Sequence, residues 1–293
     1  MYPTLFTVGS FHVATYGVLV ALAFVVAGSV AARGFRERGI PGDEAWDLLV
    51  YALVGGLVGA KLYYAALYGT GAFLSRSGMV WYGGLIGGGL AVAWGIRRRR
   101  LPFRPALDAL APALALGHAL GHVACFFSGD SYGVPSDLPW AVAFARGAPP
   151  STAGNLRDLF GVPVPASIPD DTLLRVHPTM LYSAAALLLL AGLLWWYRRR
   201  SAIPGRLFGV YLVLAGVERF LVEFLRAKDD RLLWGMTTAQ GVAAVLIVAG
   251  AAALWWTRRD GSTSADLAPR RRRDVARIEP RHSTPDIEGG RTR

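Results

Sequence analysis

Apolar stretches approaching twenty residues alternate along this chain with short basic or turn-forming segments. Seven stand out: Val13 to Ala32, Trp46 to Tyr68, Met79 to Ile96, Pro105 to Phe127, Pro178 to Tyr197, Leu207 to Phe224 and Met236 to Trp256. A helix rises about 1.5 Å per residue, so roughly 20 such residues cross the ~30 Å hydrocarbon core of a bilayer. The pattern predicts an all-α polytopic membrane protein with about seven transmembrane helices. Between the fourth and fifth stretches lies a longer segment, 129–177, rich in Pro, Asp and Gly. Connections of that length are commonly functional. Its run from Leu138 to Phe144 is too apolar for a free linker, and Trp140 and Phe144 suit a membrane-interface position. It is read as an outer-face head or lid on a transmembrane domain spanning 1–257.

Composition sharpens this picture. With 53% hydrophobic and 17% charged residues over 293 positions, the chain carries too much apolar surface for one soluble core. The first stretch is too long for a removable signal peptide and lacks a basic start and a small-residue cleavage site, so the N-terminus is expected to stay attached. Arginines at 33, 36 and 38, at 97–100, at 198–200 and at 258–259 fall on alternate loops. By the positive-inside rule these loops are cytoplasmic, which puts the N-terminus outside and the C-terminus inside. The net charge of +11 is accounted for by these loops and the tail, so nucleic acid is not an expected partner. The tail, 258–293, holds few core-forming residues and is expected to be disordered. It either attracts anionic headgroups or is a solvated extension. A single cysteine, Cys125, excludes an internal disulfide.

The fourth stretch carries the candidate chemistry. His118, His122 and Cys125 fall on one helix face, and the glycines around Asp130 then break the helix. Ionisable groups inside a membrane are costly and usually functional. No further ligand follows at helical spacing, so neither a metal nor another cofactor is expected. His118 reads best as a hydrogen-bonding group to a neighbouring helix. In the sixth stretch, Arg219 and Glu223 are four apart and Glu223 and Arg226 three apart, one charged face that packing alone hardly justifies.

These blocks resemble the signatures of the prolipoprotein diacylglyceryl transferase family. Gly121-His122-Val123-Ala124-Cys125-Phe126 followed by Gly129-Asp130-Ser131-Tyr132-Gly133 is similar to Gly-Arg-x-Gly-Asn-Phe with a closing Gly-Glu-x-x-Gly, with His122 in place of the arginine. Trp81-Tyr82-Gly83-Gly84-Leu85-Ile86-Gly87 resembles His-Gly-Gly-Leu-Ile-Gly, with Tyr82 for the histidine. Tyr16-Gly17 matches an outer-face Tyr-Gly pair, and Gly59-Ala60-Lys61-Leu62-Tyr63 resembles Gly-Gly-Arg-x-Gly-Tyr. Arg175-Val176-His177-Pro178-Thr179-Met180-Leu181-Tyr182 is similar to Arg-His-Pro-Ser-Gln-Leu-Tyr-Glu, with Ser183 at the glutamate. The run from Glu218 to Arg226 resembles Phe-Arg-x-x-x-Glu-Phe-x-Arg, and Gln240 resembles the glutamine of Met-Gly-Gln.

The resemblance implies a divergent family member in the bacterial inner membrane. Its implied reaction moves the diacylglyceryl group of phosphatidylglycerol onto the lipobox cysteine of preprolipoproteins. Phosphatidylglycerol, preprolipoprotein lipobox segments and membrane lipids are then the partners. Proton transfer and transition-state binding fall to His122, Tyr82, His177 and Arg219. Substrate binding falls to Tyr16, Lys61, Cys125, Asp130, Gly133, Glu223, Arg226 and Gln240. Bland readings stand beside these: Tyr16 as an interfacial anchor, Lys61 snorkelling to the surface, His177 capping a helix, and the glycines of the third stretch as helix packing. Two other functions also stand: a paralogue acting on another lipid or acceptor, and a non-catalytic lipid-binding or transport protein.

Overall fold

The computed structural model describes residues 4–8, 11–69, 71, 80–201, 203–228 and 235–259. The tail past Arg259, with Arg76 and Arg231, lies outside them. Among the described residues the long helices are α1 (Thr15–Glu37), α2 (Asp43–Tyr68), α3 (Trp81–Arg98), α4 (Phe103–Ser128), α6 (Thr179–Tyr197), α7 (Arg206–Val222) and α8 (Thr238–Arg259), with a short α5 (Ala153–Asp158) in the head. Each apolar stretch has become a helix. Five of them, α1, α2, α4, α6 and α8, are long and apolar enough to cross a membrane. The other two fall short of the expected seven for visible reasons: six of the 18 residues of α3 are glycine, and α7 has 17 residues and ends on charge. The protein is a multi-pass membrane protein. Consistent with lipid contact, α2 leaves Leu53, Val54, Leu57, Val58 and Leu62 exposed along its length.

Two small antiparallel pairs accompany the helices of this all-α architecture. β1 (Thr4–Val8) pairs with β2 (Phe11–Ala14), which delays the first helix from Val13 to Thr15. β3 (Val142–Ala143) pairs with β4 (Arg175–Val176) and ties the two ends of the head together.

α4 is the axis of the bundle, packed on α1, α6 and α7. Its buried positions are nearly all alanine, including Ala106, Ala109, Ala111, Ala115, Ala119 and Ala124. Small side chains let backbones approach closely, which drives helix association where lipid is as apolar as leucine. α7 is registered on α4 by a carboxylate: the buried Asp108 accepts from the backbone N–H groups of Gly205 and Phe208, both at 2.8 Å. That satisfies the free donors of the α7 N-terminus and complements its dipole.

α2 and α3 form a close pair through glycine. A Cβ on Gly59 would sit 2.3 Å from the Gly83 carbonyl oxygen, and one on Gly87 would sit 2.3 Å from that of Gly55. The glycines of the third stretch therefore serve helix packing.

The two ends of the bundle differ in charge. Arg198 donates to Glu37 through Nε at 2.8 Å and Nη2 at 2.9 Å, and Arg99 pairs with Glu44 and Asp47. The C-terminal ends of α1, α3 and α6 thus share one basic end. The head occupies the other, around its own core of Tyr132, Phe144, Leu156, Val176 and Met180. Phe144 was expected at the membrane interface. It is instead fully buried and stacked on Tyr132 with ring centroids 5.4 Å apart, because 138–144 folds inward where β3 meets β4. Trp140 remains exposed.

Candidate active site

At the head end, α4 stops where the sequence suggests. Gly129 adopts a left-handed conformation (φ +66°) and donates its N–H to the Cys125 carbonyl at 2.9 Å, a C-terminal cap that glycine forms without Cβ strain. The turn brings Asp130 back beside the helix end. Ser128 Oγ donates to Asp130 Oδ2 at 2.6 Å, and the other oxygen, Oδ1, is buried without a hydrogen-bond partner. Asp130 and Cys125 both act electrostatically on Tyr16 at the start of α1. The start of α1 and the end of α4 with its turn, distant in sequence, therefore lie within electrostatic reach of each other here.

α7 supplies the opposite wall. Arg219 Nη2 lies 2.6 Å from Glu223 Oε2, and Arg226 Nε lies 3.6 Å from the same oxygen. The Glu223 side chain is wholly buried, so one carboxylate holds two guanidinium groups side by side. Helical spacing places Arg219, and a 3-10 turn at Glu223–Leu225 swings Arg226 round. Arg226 also lies within electrostatic reach of Cys125 and Asp130. His122, one helical turn below Cys125, feels both arginines and stacks on His118 with centroids 4.9 Å apart.

This cluster is left electrostatically unfinished. Among the described residues, every buried side-chain nitrogen or oxygen lacking a hydrogen bond belongs to it except Ser201 Oγ: both ring nitrogens of His122, Asp130 Oδ1, both oxygens of Glu218 and of Glu223, Arg219 Nη1 and Arg226 Nε. Such groups cost about 1–3 kcal/mol each when left unpaired, more when charged. A concentration of them in one place points to a ligand that completes them. Paired guanidinium donors suit a phosphate.

The head fixes Arg226 through its backbone. Gly133 donates to the His177 carbonyl at 2.8 Å, Val134 to Leu225 at 2.9 Å, and Ala227 to Tyr132 at 3.2 Å. Gly133 permits this crossing, since a Cβ there would lie 2.3 Å from the Leu225 oxygen. Its role is close approach of backbones. Tyr132 anchors the head from inside, donating to the carbonyls of Pro149 and Pro150, each at 3.1 Å. Burial pushes its phenol up to about 12.

The remaining sequence candidates stand apart from this cluster or beside it. His177 Nδ1 meets Tyr182 Oη at 3.2 Å, and that phenol oxygen accepts from Trp140 Nε1 at 2.8 Å. Gln240 has a structural duty: its Oε1 accepts from Thr237 N–H at 3.0 Å, while Thr237 Oγ1 accepts from Gln240 N–H at 3.2 Å. That is a reciprocal capping box opening α8. Lys61 and Tyr82 belong to the α2–α3 pair, where Lys61 Nζ lies 5.5 Å from the Tyr64 ring centre and Tyr82 stands edge-on to Trp81.

Glu218 was not among the sequence candidates. Its carboxylate is buried in α7 beside Ser183 of α6 and feels Arg219 and Arg226. The available signal was an acid within an apolar run, directly before an arginine, opposite the position where the resembling pattern carries its own acid.

Comparison with known proteins identifies the family. The family model described as prolipoprotein diacylglyceryl transferase matches residues 3–256. The phosphatidylglycerol–prolipoprotein diacylglyceryl transferase of Synechococcus elongatus is 32% identical over 269 residues, covering 87% of this chain and 86% of the relative. That of Clostridium tetani is 28% identical over 257 residues, covering 85% and 95% respectively.

Proposed function

Since the chain belongs to the prolipoprotein diacylglyceryl transferase family and is a transferase of lipoprotein biosynthesis, we propose that its α4–α7 cluster holds the phosphatidylglycerol headgroup during transfer. The observation that carries this is the pair of guanidinium groups on the one buried carboxylate of Glu223, with Arg219 Nη1 buried and without a hydrogen bond. In this reading Arg219 and Arg226 bind the phosphate oxygens and Glu223 keeps their planes aligned. Tyr16, Cys125 and Asp130 line the opposite wall.

The reaction is a displacement at carbon. The lipobox thiol gives its proton to His122, and the thiolate attacks the glyceryl carbon that bears the phosphate. The C–S bond forms as the C–O bond breaks, and glycerol phosphate leaves with the bonding pair. Charge grows on the leaving oxygen, where the two arginines are already placed, so they bind the transition state more tightly than the ground state. Of the three groups that sequence put forward for proton transfer, His122 is best supported. Both its nitrogens are unengaged, whereas His177 is bonded to Tyr182 and Tyr82 sits on the α2–α3 pair.

Topology follows the same reading. The basic end lies in the cytoplasm of a bacterial inner membrane, by the positive-inside rule, and the head with its cluster faces outward. An N-terminus outside and a C-terminus inside complete it.

The test is complementation of a strain depleted of its own transferase, paired with transfer from labelled phosphatidylglycerol to a lipobox peptide. The wild-type chain is expected to restore growth and label the peptide, and Arg219→Ala to do neither at equal membrane expression. Peptide labelling by Arg219→Ala at the wild-type rate would overturn the assignment.

A further inference from the structure

A second group of arginines, at the basic end, is organised beyond what topology requires. Arg33, Trp195, Trp196, Arg198, Arg199 and Arg200 line a groove of about 640 Å³. Arg198 is nearly inaccessible, clamped by Glu37 in a two-pronged contact. Its guanidinium carbon lies 3.5 Å from the Trp195 ring centre, and that of Arg33 lies 5.2 Å from the same ring. Arg200 lies 3.9 Å from the centre of Trp196, whose ring is 56% exposed.

Of the four arginines here, Arg198 and Arg33 share one carboxylate, Glu37. A guanidinium held by its face on an indole keeps its N–H edge free to bind oxygen. Arg199 and Arg200 are therefore surplus charge on a preformed aromatic floor.

Depth gives the ligand. Tyr16 marks the head end of α1 and Arg33 stands 17 residues on, about 26 Å along a helix at ~1.5 Å per residue. That is close to the ~30 Å between the two headgroup layers of a bilayer. Exposed tryptophan beside arginine is the composition of that layer.

We infer that the Arg33–Trp195–Arg200 groove is a binding site for the phosphate of an anionic phospholipid in the leaflet opposite the catalytic cluster. Trp195 and Trp196 lie along the glycerol region, and the free guanidinium edges take the phosphate oxygens. The site is independent of the cluster around Arg219.

The experiment uses the full chain in phosphatidylcholine nanodiscs carrying a minor fraction of phosphatidylglycerol, with lipid retention read by native mass spectrometry after mild detergent release. Wild type is expected to keep one more anionic lipid than Arg33→Gln/Arg199→Gln/Arg200→Gln. Apparent affinity should fall about fivefold per arginine removed, the factor matching ~1 kcal/mol per basic residue near a charged surface. The triple lysine variant keeps charge and topology but loses the planar forks, and it should also lose the lipid. Arg219→Ala should lose only the lipid of the α4–α7 cluster, and adding it to the triple glutamine variant should remove one lipid more than either alone, which separates the two sites. Wild-type retention by the lysine variant would reduce the groove to diffuse attraction and overturn the inference. Displacement of the lipid by millimolar inorganic phosphate would overturn it as well, by showing a site for a soluble anion.

Discussion

Gly133→Ala tests the link between the head and the arginines proposed to bind the phosphate, without touching any group proposed to meet substrate. The new Cβ would lie 2.3 Å from the Leu225 carbonyl oxygen and 2.8 Å from both His177 Cβ and Thr179 Cγ2. Ordinary contact begins near 3.4 Å, so the Leu225 carbonyl must retreat by about 1 Å. That movement stretches the Val134-to-Leu225 hydrogen bond, now 2.9 Å, and drags Arg226, the next residue. Overpacking of this kind costs typically ~1–3 kcal/mol, with about 1 kcal/mol more for each weakened hydrogen bond. A displacement of ~1 Å in a positioning group lowers turnover by roughly 100-fold. Detergent-solubilised enzyme, assayed for transfer to a lipobox peptide, should lose kcat well beyond what its small fall in thermal midpoint explains. Wild-type kcat at an unchanged melting temperature would refute the idea that the head positions Arg226.

Further outcomes follow from single contacts. Gln240→Ala should lower thermal stability by about 0.5–2 kcal/mol, as loss of a capping interaction does, and leave kcat/KM for phosphatidylglycerol unchanged in the peptide assay. Gly83→Ala should destabilise the α2–α3 pair by roughly 1–3 kcal/mol, visible as reduced folded protein in size-exclusion chromatography of membrane extracts. Glu223→Gln should raise KM for phosphatidylglycerol and lower kcat together, because the two guanidinium groups then lose their shared partner. For Tyr132, the folded phenol titrates near 12 against about 10 unfolded. Its contribution is therefore complete below about pH 10 and disappears as pH rises toward 12. Thermal midpoints of wild type and Tyr132→Phe, compared across that window, should converge.

The helices were legible because the bilayer permits little else: a long apolar run must satisfy its backbone internally, and each of the seven did. The break at Gly129 was equally readable, since glycine tolerates the left-handed cap. The family blocks pointed to Arg219, Glu223 and Arg226, which form one ion-paired group with Cys125 and Asp130 in its electrostatic reach, and to Tyr16, which lies within reach of Cys125 and Asp130. Other features depended on tertiary partners that no local pattern encodes. The inward turn of Phe144 needed a strand from the far end of the head, whereas the Thr237-x-x-Gln240 capping box is a local pattern that the family block overshadowed. The bond of His177 to Tyr182 required α6 to begin where it does. Asp108, which registers α7 on α4, lies 97 residues before the N–H it caps at Gly205. The Glu218–Ser183 contact is also invisible from either helix alone.

The backbone bridge between Gly133 and Arg226 has a consequence for biogenesis. Its two strands leave the ribosome almost a hundred residues apart, separated by the whole head and two further helices. No nascent chain that stops before Arg226 carries the proposed headgroup site, so insertion intermediates lacking α7 are expected to leave the surrounding lipid unbound.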